Sequence, residues 1–370
     1  MTQRVPIDRA KRLFEEPHLG HNRYHPEIEP ILEVDAGTEV VLETRDGVDG
    51  QLPPGATAAA IADLDTGVVH PLTGPIYVKG AAPGDGLEIE FLDIVPEPTG
   101  FTAIIPGLGF LRDLISTPFL AQWQINDGWA TSAEIPGVRI PGAPFMGVSA
   151  VAPSQSALEQ WRDREARWVD KGGMALGPDA AGAVPSGPCG LAGLRTLPPR
   201  ENGGNFDVKQ LTKGSKLVLP VFVDGALFST GDGHFAQGDG EVCVTAVEMG
   251  ATVAVRFKVI KDLYRTRKFQ APVFSHQEYF PDPRYAVPQC FLGVMGMPID
   301  ADGENDGENL TLACRNALLN MIELLQERGF TREQAYVICS VAVDLRISNV
   351  VDVPNYVVSA LLPEAIFDGD

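Results

Sequence analysis

Short apolar stretches separated by turn residues run along most of this chain. Thirty prolines and 39 glycines interrupt the apolar stretches, and short strands between turn residues are typical of sandwiches and barrels. The segment from Leu87 to Ile94 largely alternates apolar and acidic residues, as a strand with one solvent-facing side does. We therefore predict a β-rich fold. The predicted strands cover Glu39 to Glu43, Leu87 to Ile94, Leu217 to Val223, Val242 to Val247 and Thr252 to Val259.

Three segments have apolar residues at helical spacing instead. The first predicted helix follows the N-cap residue Ser154. The second covers Leu310 to Arg328, and a capping-box pattern of Thr331 and Gln334 opens the third. Two of the three helices therefore lie in the last part of a mainly β-rich sequence.

Composition and charge limit the classes of partner. The chain has 370 residues, of which 44% are hydrophobic, so it can bury a large core. With 49 acidic and 29 basic residues the formal charge is −20, which repels a phosphate backbone, and we expect no nucleic-acid partner. No apolar run approaches the roughly 18 residues that span a bilayer, and the N-terminus has no apolar signal core. We therefore expect no membrane partner and a cytoplasmic location.

The cysteines are few and separate. An odd number of single cysteines with no C-x-x-C spacing indicates neither a disulfide framework nor a thiolate zinc site. We expect most of them to be small buried residues. They are Cys189, Cys243, Cys290, Cys314 and Cys339.

The segment GDGHFAQGDGE, residues 231–241, is the strongest candidate for a functional site. It combines four ionisable groups and a carboxamide with four glycines. Glycines let the backbone turn sharply and approach a ligand, while Asp, His and Glu bind divalent metals or transfer protons near neutral pH. The alternative is an ordinary turn with solvated acids.

Other polar residues would complete a site with this segment. His70 precedes a rigid Pro-Leu-Thr-Gly-Pro turn, and Asp46 lies in a glycine turn after a predicted strand. Together with His234 and Glu241, they would form a mixed histidine and carboxylate site that holds a divalent metal and leaves one position for water. Such a site hydrolyses carbonyl compounds, with a carboxylate outside the ligand set moving the proton to the leaving group.

Competing chemistries have less support. The sequence contains no Gly-x-Ser-x-Gly elbow, no P-loop, no dinucleotide-binding glycine pattern and no His-Glu-x-x-His. Cys243 lies two residues after Glu241, but the local period indicates the interior of a strand rather than a nucleophile.

Several collinear blocks resemble the acetamidase/formamidase family, and most closely its formamidase branch. They run along nearly the whole chain. Tyr24 stands where that branch usually has Trp, and the segment from Gly100 to Gln124 also differs from it. The blocks are HNRYHPEIEP (21–30), TRDGVDGQ (44–51), HPLTGPIYVKGAAPGDGLEIEFLDI (70–94), GLRTLPPRENGGNFDVKQLTKGS (193–215), LPVFVDGALFSTGDGHFAQGDGEVC (219–243) and NVVDVPNYVVSALLP (349–363).

The resemblance implies hydrolysis of a short aliphatic amide, formamide or acetamide, to ammonia and the carboxylate by a homo-oligomer. It also implies a divalent metal, zinc or calcium, and a β-rich α+β fold with a jelly-roll-like β-sandwich core. We expect residues 1–265 to carry the family motifs and residues 266–370 to form an α+β region packed on them, as one integrated unit.

The resemblance also implies roles for individual residues. Asp46, His70 and His234 are expected as metal ligands, and Glu241, Asp232 and His25 as catalytic residues. Gln237 and Asn205 are expected to bind the substrate.

Three hypotheses remain open from the sequence. The first is a metal-assisted amidase. The second is a metal-independent amidase that uses a carboxylate or Cys243. The third is a non-catalytic binding protein on the same scaffold, because fold alone does not establish function. A larger or different amide also remains an alternative substrate, since loops near a pocket set which acyl group fits.

Overall fold

The computed structural model describes residues 2–277, 279 and 290–367. The predicted C-terminal region 266–370 therefore includes some positions outside the described residues. The helices are α1 (Gln155–Val169), α2 (Pro188–Ala192), α3 (Leu263–Thr266), α4 (Leu310–Glu327) and α5 (Arg332–Ala342). The strands are β1 (Gln3–Val5), β2 (Gly20–His21), β3 (Arg23–Tyr24), β4 (Leu32–Asp35), β5 (Glu39–Thr44), β6 (Leu72–Lys79), β7 (Gly86–Pro96), β8 (Thr99–Ile104), β9 (Phe119–Asn126), β10 (Trp129–Ser132), β11 (Arg139–Pro141), β12 (Phe145–Ala150), β13 (Leu194–Arg195), β14 (Gly203–Asn205), β15 (Ser215–Pro220), β16 (Phe228–His234), β17 (Glu248–Met249), β18 (Ala251–Ile260), β19 (Val273–His276), β20 (Phe291–Gly296), β21 (Asp344–Asn349) and β22 (Val357–Pro363).

Two large sheets enclose the main core. One has the strand order β1-β5-β18-β7-β15-β19, and the other β11-β10-β9-β8-β17-β16-β12-β14, with β6 paired to β16, β2 and β4. Phe228 on β16 and Phe257 on β18 touch edge to face across the two sheets, with ring centroids 5.2 Å apart. Both rings are buried. This face-to-face arrangement is a β-sandwich, and the β-rich α+β prediction is confirmed.

A smaller layer from the C-terminal part packs against the sandwich. The antiparallel sheet β20-β22-β21 lies against α4. Leu318 and Ile322 on α4 and Tyr336 on α5 belong to the same buried apolar cluster as the sandwich residues. Within the described ranges, no helix is both long and apolar enough to cross a membrane.

The predicted helices occur where their capping residues place them. The Ser154 hydroxyl accepts a hydrogen bond from the Ala157 N–H at 3.2 Å and caps α1. Thr331 and Gln334 form the predicted reciprocal capping box of α5. These predictions depend on local chemistry, which operates in the same way in the folded protein.

The predicted strand from Val242 to Val247 is wrong. This segment is a turn, in which Val244 has a φ of +89°, and strand pairing resumes only at Glu248 in β17. The Cys243 N–H donates to the Ser340 hydroxyl, which donates to the Thr245 carbonyl oxygen. A helix side chain therefore satisfies the backbone groups that a strand would pair in a ladder.

Candidate active site

His234 is the centre of a buried polar cluster at the end of β16. Antiparallel pairing sets His234 directly opposite Glu248 on β17, where cross-strand side chains are neighbours. His234 Nε2 lies 3.2 Å from Glu248 Oε2 and 3.4 Å from Asp232 Oδ2. All three residues are buried. Their ligand atoms lie within 4.8 Å of one another, close enough to share a metal ion.

A second group of ligand atoms uses the same imidazole. His234 Nε2 lies 3.9 Å from Glu241 Oε1, and His234 Nδ1 lies 4.0 Å from Asp207 Oδ1. These three residues also have ligand atoms within 4.8 Å of one another. Two ends of the 231–241 motif, at His234 and at Glu241, thus meet at Asp207.

Gln237 fixes the orientation of His234. Its Oε1 lies 3.0 Å from His234 Nδ1, and its Nε2 donates to the Asp207 carbonyl oxygen at 2.9 Å. Because the Gln237 oxygen can only accept, His234 Nδ1 carries the proton in this arrangement. The Nε2 atom is then free to bind a metal, as in metal sites where a hydrogen bond fixes the tautomer of the ligand. The substrate-binding role expected for Gln237 stays a prediction.

Two of the other predicted residues border this cluster. His70 Nε2 lies 3.8 Å from Asp232 Oδ2, and the backbone N–H of His70 donates to the Thr196 hydroxyl at 2.7 Å. The Asp46 carboxylate accepts backbone hydrogen bonds from its own turn and, in the described part of the chain, belongs to neither ligand group. A Cβ atom on the next residue, Gly47, would lie 2.2 Å from Asp232 Oδ1. The turn at Asp46 therefore forms one wall of the cluster.

Two predicted residues lie in other positions. His25 is beside Glu27 and Cys189, with its Nδ1 atom 3.5 Å from Cys189 Sγ. Asn205 ends β14, two residues before Asp207. The roles expected for His25 and Asn205 stay predictions.

Buried polar atoms without a partner mark the space around the cluster. Among the described residues, they include His234 Nε2, Glu248 Oε2, Asp207 Oδ1 and His70 Nδ1. Asn205 Oδ1 and the Tyr24 hydroxyl, on other segments, also lack a partner there. A buried polar atom that lacks a hydrogen bond is costly. A cation and a small polar substrate would satisfy these atoms, so the donor set fits a divalent metal.

The pKa values of the carboxyl groups reflect burial first and the crowding of like charges second. Burial raises the pKa of Glu248 and of Asp207 to about 7 and raises the pKa of Glu241 well above its ordinary value. Burial also disfavours the charged form of Asp232, but the neighbouring imidazoles outweigh it and hold that pKa below its usual range. Without a cation, several of these acids retain protons near neutral pH. A bound divalent cation would take the place of those protons.

A cavity of about 320 Å³ borders the cluster at Glu248. Asp46, Glu248 and the two arginines Arg9 and Arg45 lie on its wall. Phe101 and Gln122 also line it, so the segment from Gly100 to Gln124, which departs from the formamidase pattern, contributes to the pocket.

The sequence interpretation missed Glu248 and Asp207 as site residues. A detectable signal existed for Glu248, because it stands between Val247 and Met249 in an apolar stretch, and a carboxylate there is buried only with partners. Asp207 lies inside a block that carried the family resemblance. Its contact with His234 depends on how distant segments meet.

Comparisons with known proteins agree on one family. The family model described as "Acetamidase/Formamidase family" matches residues 6–369. The chain is 36% identical to an acetamidase from Mycolicibacterium smegmatis, covering 90% of this chain and 87% of the relative. It is 33% identical to a formamidase from Methylophilus methylotrophus, covering 99% and 94%. A solved γ-lactamase from Delftia acidovorans superimposes with a TM-score of 0.93 at 34% identity, covering 100% of this chain and 94% of that one.

Proposed function

We propose that this chain, which belongs to the acetamidase/formamidase family and hydrolyses amide C–N bonds, acts with the help of a divalent cation. Its proposed reaction is the cleavage of a short aliphatic amide to ammonia and the carboxylate. The observation that carries the proposal is the buried His234 Nε2, which faces Asp232, Glu248 and Glu241 without a hydrogen-bond partner among the described residues. Such convergence of anionic ligands on one free imidazole nitrogen is typical of a metal centre.

Asp232, His234 and Glu248 would hold the cation, with His70 next to Asp232. A divalent ion bound there would polarise the amide carbonyl and lower the pKa of water. Zinc and calcium both remain candidates, because carboxylate oxygens suit either ion and imidazole favours zinc. The role of Asp46 as a further ligand is the least supported of the proposed roles, since its own turn already donates to its carboxylate.

Glu241 is the proposed general base and acid. It accepts the proton of the attacking water while the water oxygen bonds to the carbonyl carbon. It then donates that proton to the amide nitrogen as the C–N bond breaks, so ammonia leaves. The carboxylic acid that remains loses its proton to solvent or to ammonia and becomes the carboxylate. Burial raises the pKa of Glu241 well above its ordinary value, which makes its carboxylate a stronger base towards the proton of water.

Asn205 and Tyr24 are proposed to position the substrate. Asn205 Oδ1 would accept from the amide NH2 group, and the Tyr24 hydroxyl would donate to a substrate oxygen. Both atoms are buried and have no partner among the described residues. A polar ligand would satisfy them, whereas an apolar molecule would not.

A metal-independent mechanism is the alternative within the enzyme class. Burial raises the pKa of the Cys243 thiol, which reduces the thiolate fraction that a nucleophile needs. The metal-assisted mechanism is therefore preferred over the cysteine mechanism.

A second candidate activity is the opening of a γ-lactam. The whole-chain similarity to the γ-lactamase, with a TM-score of 0.93, supports it. A cyclic amide has the same C–N bond, but its product retains the amine, so no ammonia is released.

The test measures ammonia from formamide, acetamide and propionamide, and the amino acid from 2-pyrrolidinone, before and after metal removal and zinc or calcium add-back. We expect turnover to fall on chelation and return with one ion. Glu248→Gln is expected to lower metal affinity, and exposed Glu304→Gln, the matched control, to leave it unchanged. Full turnover after complete metal removal would favour a metal-independent carboxylate mechanism, and no turnover on any substrate would contradict the proposed substrate class.

The assembly state also belongs to this proposal. Phe291 and Met295 on β20 and Ile347 on β21 are exposed apolar side chains, between 50% and 65% accessible. Such side chains support a homo-oligomer, because exposed apolar patches often mark subunit contacts. The mass of the protein in solution tests it. The cytoplasmic location stays a prediction.

A further inference from the structure

Three metal-ligating side chains meet away from the His234 cluster. His25 follows β3, Glu27 lies in the same turn, and Cys189 lies in the short helix α2. Their ligand atoms all lie within 4.8 Å of one another. Antiparallel pairing of Tyr24 with Leu194 brings the two segments together. Tyr24 directly precedes His25, and Leu194 follows α2, which contains Cys189. The pairing of β3 with β13 therefore holds the three side chains near one another.

We propose that His25, Glu27 and Cys189 form a second metal site, selective for zinc or another borderline divalent ion. A thiolate, an imidazole and a carboxylate supply three ligands and leave one position open. A sulfur ligand favours zinc over calcium or magnesium, which prefer oxygen. The proposal is independent of the amidase mechanism, because these three residues are separate from the His234 ligand groups.

The spacing of the nitrogen and sulfur atoms matches a shared tetrahedral ion. Zinc–nitrogen bonds of about 2.0 Å and zinc–sulfur bonds of about 2.3 Å give a nitrogen–sulfur separation of about 3.5 Å at the tetrahedral angle. The distance between His25 Nδ1 and Cys189 Sγ is 3.5 Å. A thiol–imidazole hydrogen bond has a similar length, so spectroscopy must distinguish the two.

His25 Nδ1 has a lone pair available for an ion. It accepts a hydrogen bond from the Glu27 N–H at 3.2 Å, which requires an unprotonated nitrogen. A metal would replace this contact with a stronger bond. It would also release the thiol proton of Cys189, so binding is expected to strengthen as the pH rises.

The surroundings favour entry of a cation. Glu27 lies on the wall of an open cleft of about 610 Å³, together with Glu29, Glu33 and Asp224, and the described lining contains no Lys or Arg. Cys189 is partly exposed. A cleft lined by one sign of charge raises the local concentration of the opposite ion. The site is thus reachable from solvent.

An ion here would join two segments near the proposed substrate pocket. It would connect the turn after β3 to α2, next to the pairing of β3 with β13. Tyr24, whose unpartnered hydroxyl is a proposed substrate contact, is the residue before His25. Occupancy is therefore expected to stabilise this part of the pocket wall without supplying a catalytic group.

Cobalt(II) titration tests the proposal because only a thiolate ligand gives a near-ultraviolet sulfur-to-cobalt charge-transfer band. The full-length metal-free protein is expected to develop this band as one equivalent of cobalt binds. This equivalent is separate from the one that fills the His234 cluster, whichever site fills first. Cys189→Ser should abolish the band, whereas Cys314→Ser, at a partly buried cysteine of α4, should leave it intact. Circular dichroism establishes that each variant is folded.

Total metal content gives a second, independent readout. Elemental analysis after zinc saturation is expected to find one fewer ion per chain in Cys189→Ser than in wild type. Glu27→Gln should weaken zinc binding. Its cobalt band should still develop, but at a higher metal concentration than in wild type. No band in wild type, a band that persists in Cys189→Ser, or equal zinc content in both proteins would overturn the proposal. None of these results depends on amide turnover.

Discussion

Glycines give the His234 cluster the space that its carboxylates occupy. Gly147 lies on β12, which pairs with β16 beside the cluster. A Cβ at this position would lie 2.7 Å from Asp207 Oδ1 and 2.9 Å from Asp232 Oδ2. The sequence predicted Asp232 because a dense motif surrounds it. It did not predict that Asp207 lies beside His234, because this requires β12 to pair with both β14 and β16.

Gly147→Ala is expected to displace the carboxylates and lower turnover by about 100-fold, since a 1 Å misplacement can have that effect. Gly177→Ala is the matched control, because a Cβ at Gly177 meets no heavy atom within 4 Å. Steady-state kinetics and metal-binding titration of both variants measure the effect. Wild-type turnover in Gly147→Ala would show that the cluster tolerates the methyl group and is not tightly packed.

His21 is expected to make stability depend on pH. It is buried between the Arg23 carbonyl oxygen, 2.6 Å from Nδ1, and the Ser229 hydroxyl, 2.7 Å from Nε2. Burial lowers its pKa from 6.5 to about 4, against the opposing effect of the Arg23 hydrogen bond. The folded state therefore binds this proton less tightly than the unfolded state. Its stabilising effect is complete above pH 6.5 and is lost as the pH falls towards 4, by about 3 kcal/mol.

Urea unfolding at pH 7.5 and pH 4.5 measures this effect. His21→Gln removes the titrating group, so the unfolding free energy of the variant should fall less between the two pH values than that of wild type. Other titrating groups are common to both proteins and cancel in the comparison. Equal falls in the two proteins would exclude His21 as the source.

At the scale of elements, α5 supports the acidic turn that carries Glu241. The Ser340 hydroxyl accepts from the Cys243 N–H at 3.1 Å and donates to the Thr245 carbonyl oxygen at 2.7 Å. The capping box of α5 was predictable from four consecutive residues. The turn was not, because its apolar residues have strand propensity and only the packed helix replaces the strand hydrogen bonds.

Ser340→Ala leaves a buried N–H and a buried carbonyl without this partner and is expected to reduce the unfolding free energy by about 1–3 kcal/mol. Ser348→Ala removes an exposed hydrogen bond between Ser348 on β21 and Ser359 on β22, and it should change the unfolding free energy by less than about 0.5 kcal/mol. Denaturant unfolding measures both variants. Equal, small effects would mean that water replaces the Ser340 hydroxyl.

At the scale of the whole molecule, one apolar core joins the sandwich to the C-terminal layer. Tyr336 and Leu318 share it with Phe228 and Phe257. Periodicity predicted a β-rich body with late helices, since these patterns are local. The order of strands in the two sheets was not predictable, because it depends on pairing between distant segments, such as β1 with β5 and β18 with β7.

We expect a fragment of residues 1–265 to lack cooperative unfolding, because it loses the helices that cover part of the core. Thermal unfolding followed by near-ultraviolet circular dichroism, with an apolar dye as a second probe, compares the fragment with the full chain. Strong dye binding and no sharp transition would support one integrated unit. A sharp transition would instead make residues 1–265 an independent domain.

The bond between the acidic turn and α5 also sets an order for events during protein synthesis. Cys243 and Ser340 are 97 residues apart, and at roughly 5–20 residues per second the ribosome needs about 5–20 s to produce that length. For this interval the nascent chain contains the complete set of Asp207, Asp232, His234, Glu241 and Glu248 but lacks the helix that closes the turn over them. Loading of the proposed cation into the finished site is therefore expected to be a late step, after most of the polypeptide has been synthesised.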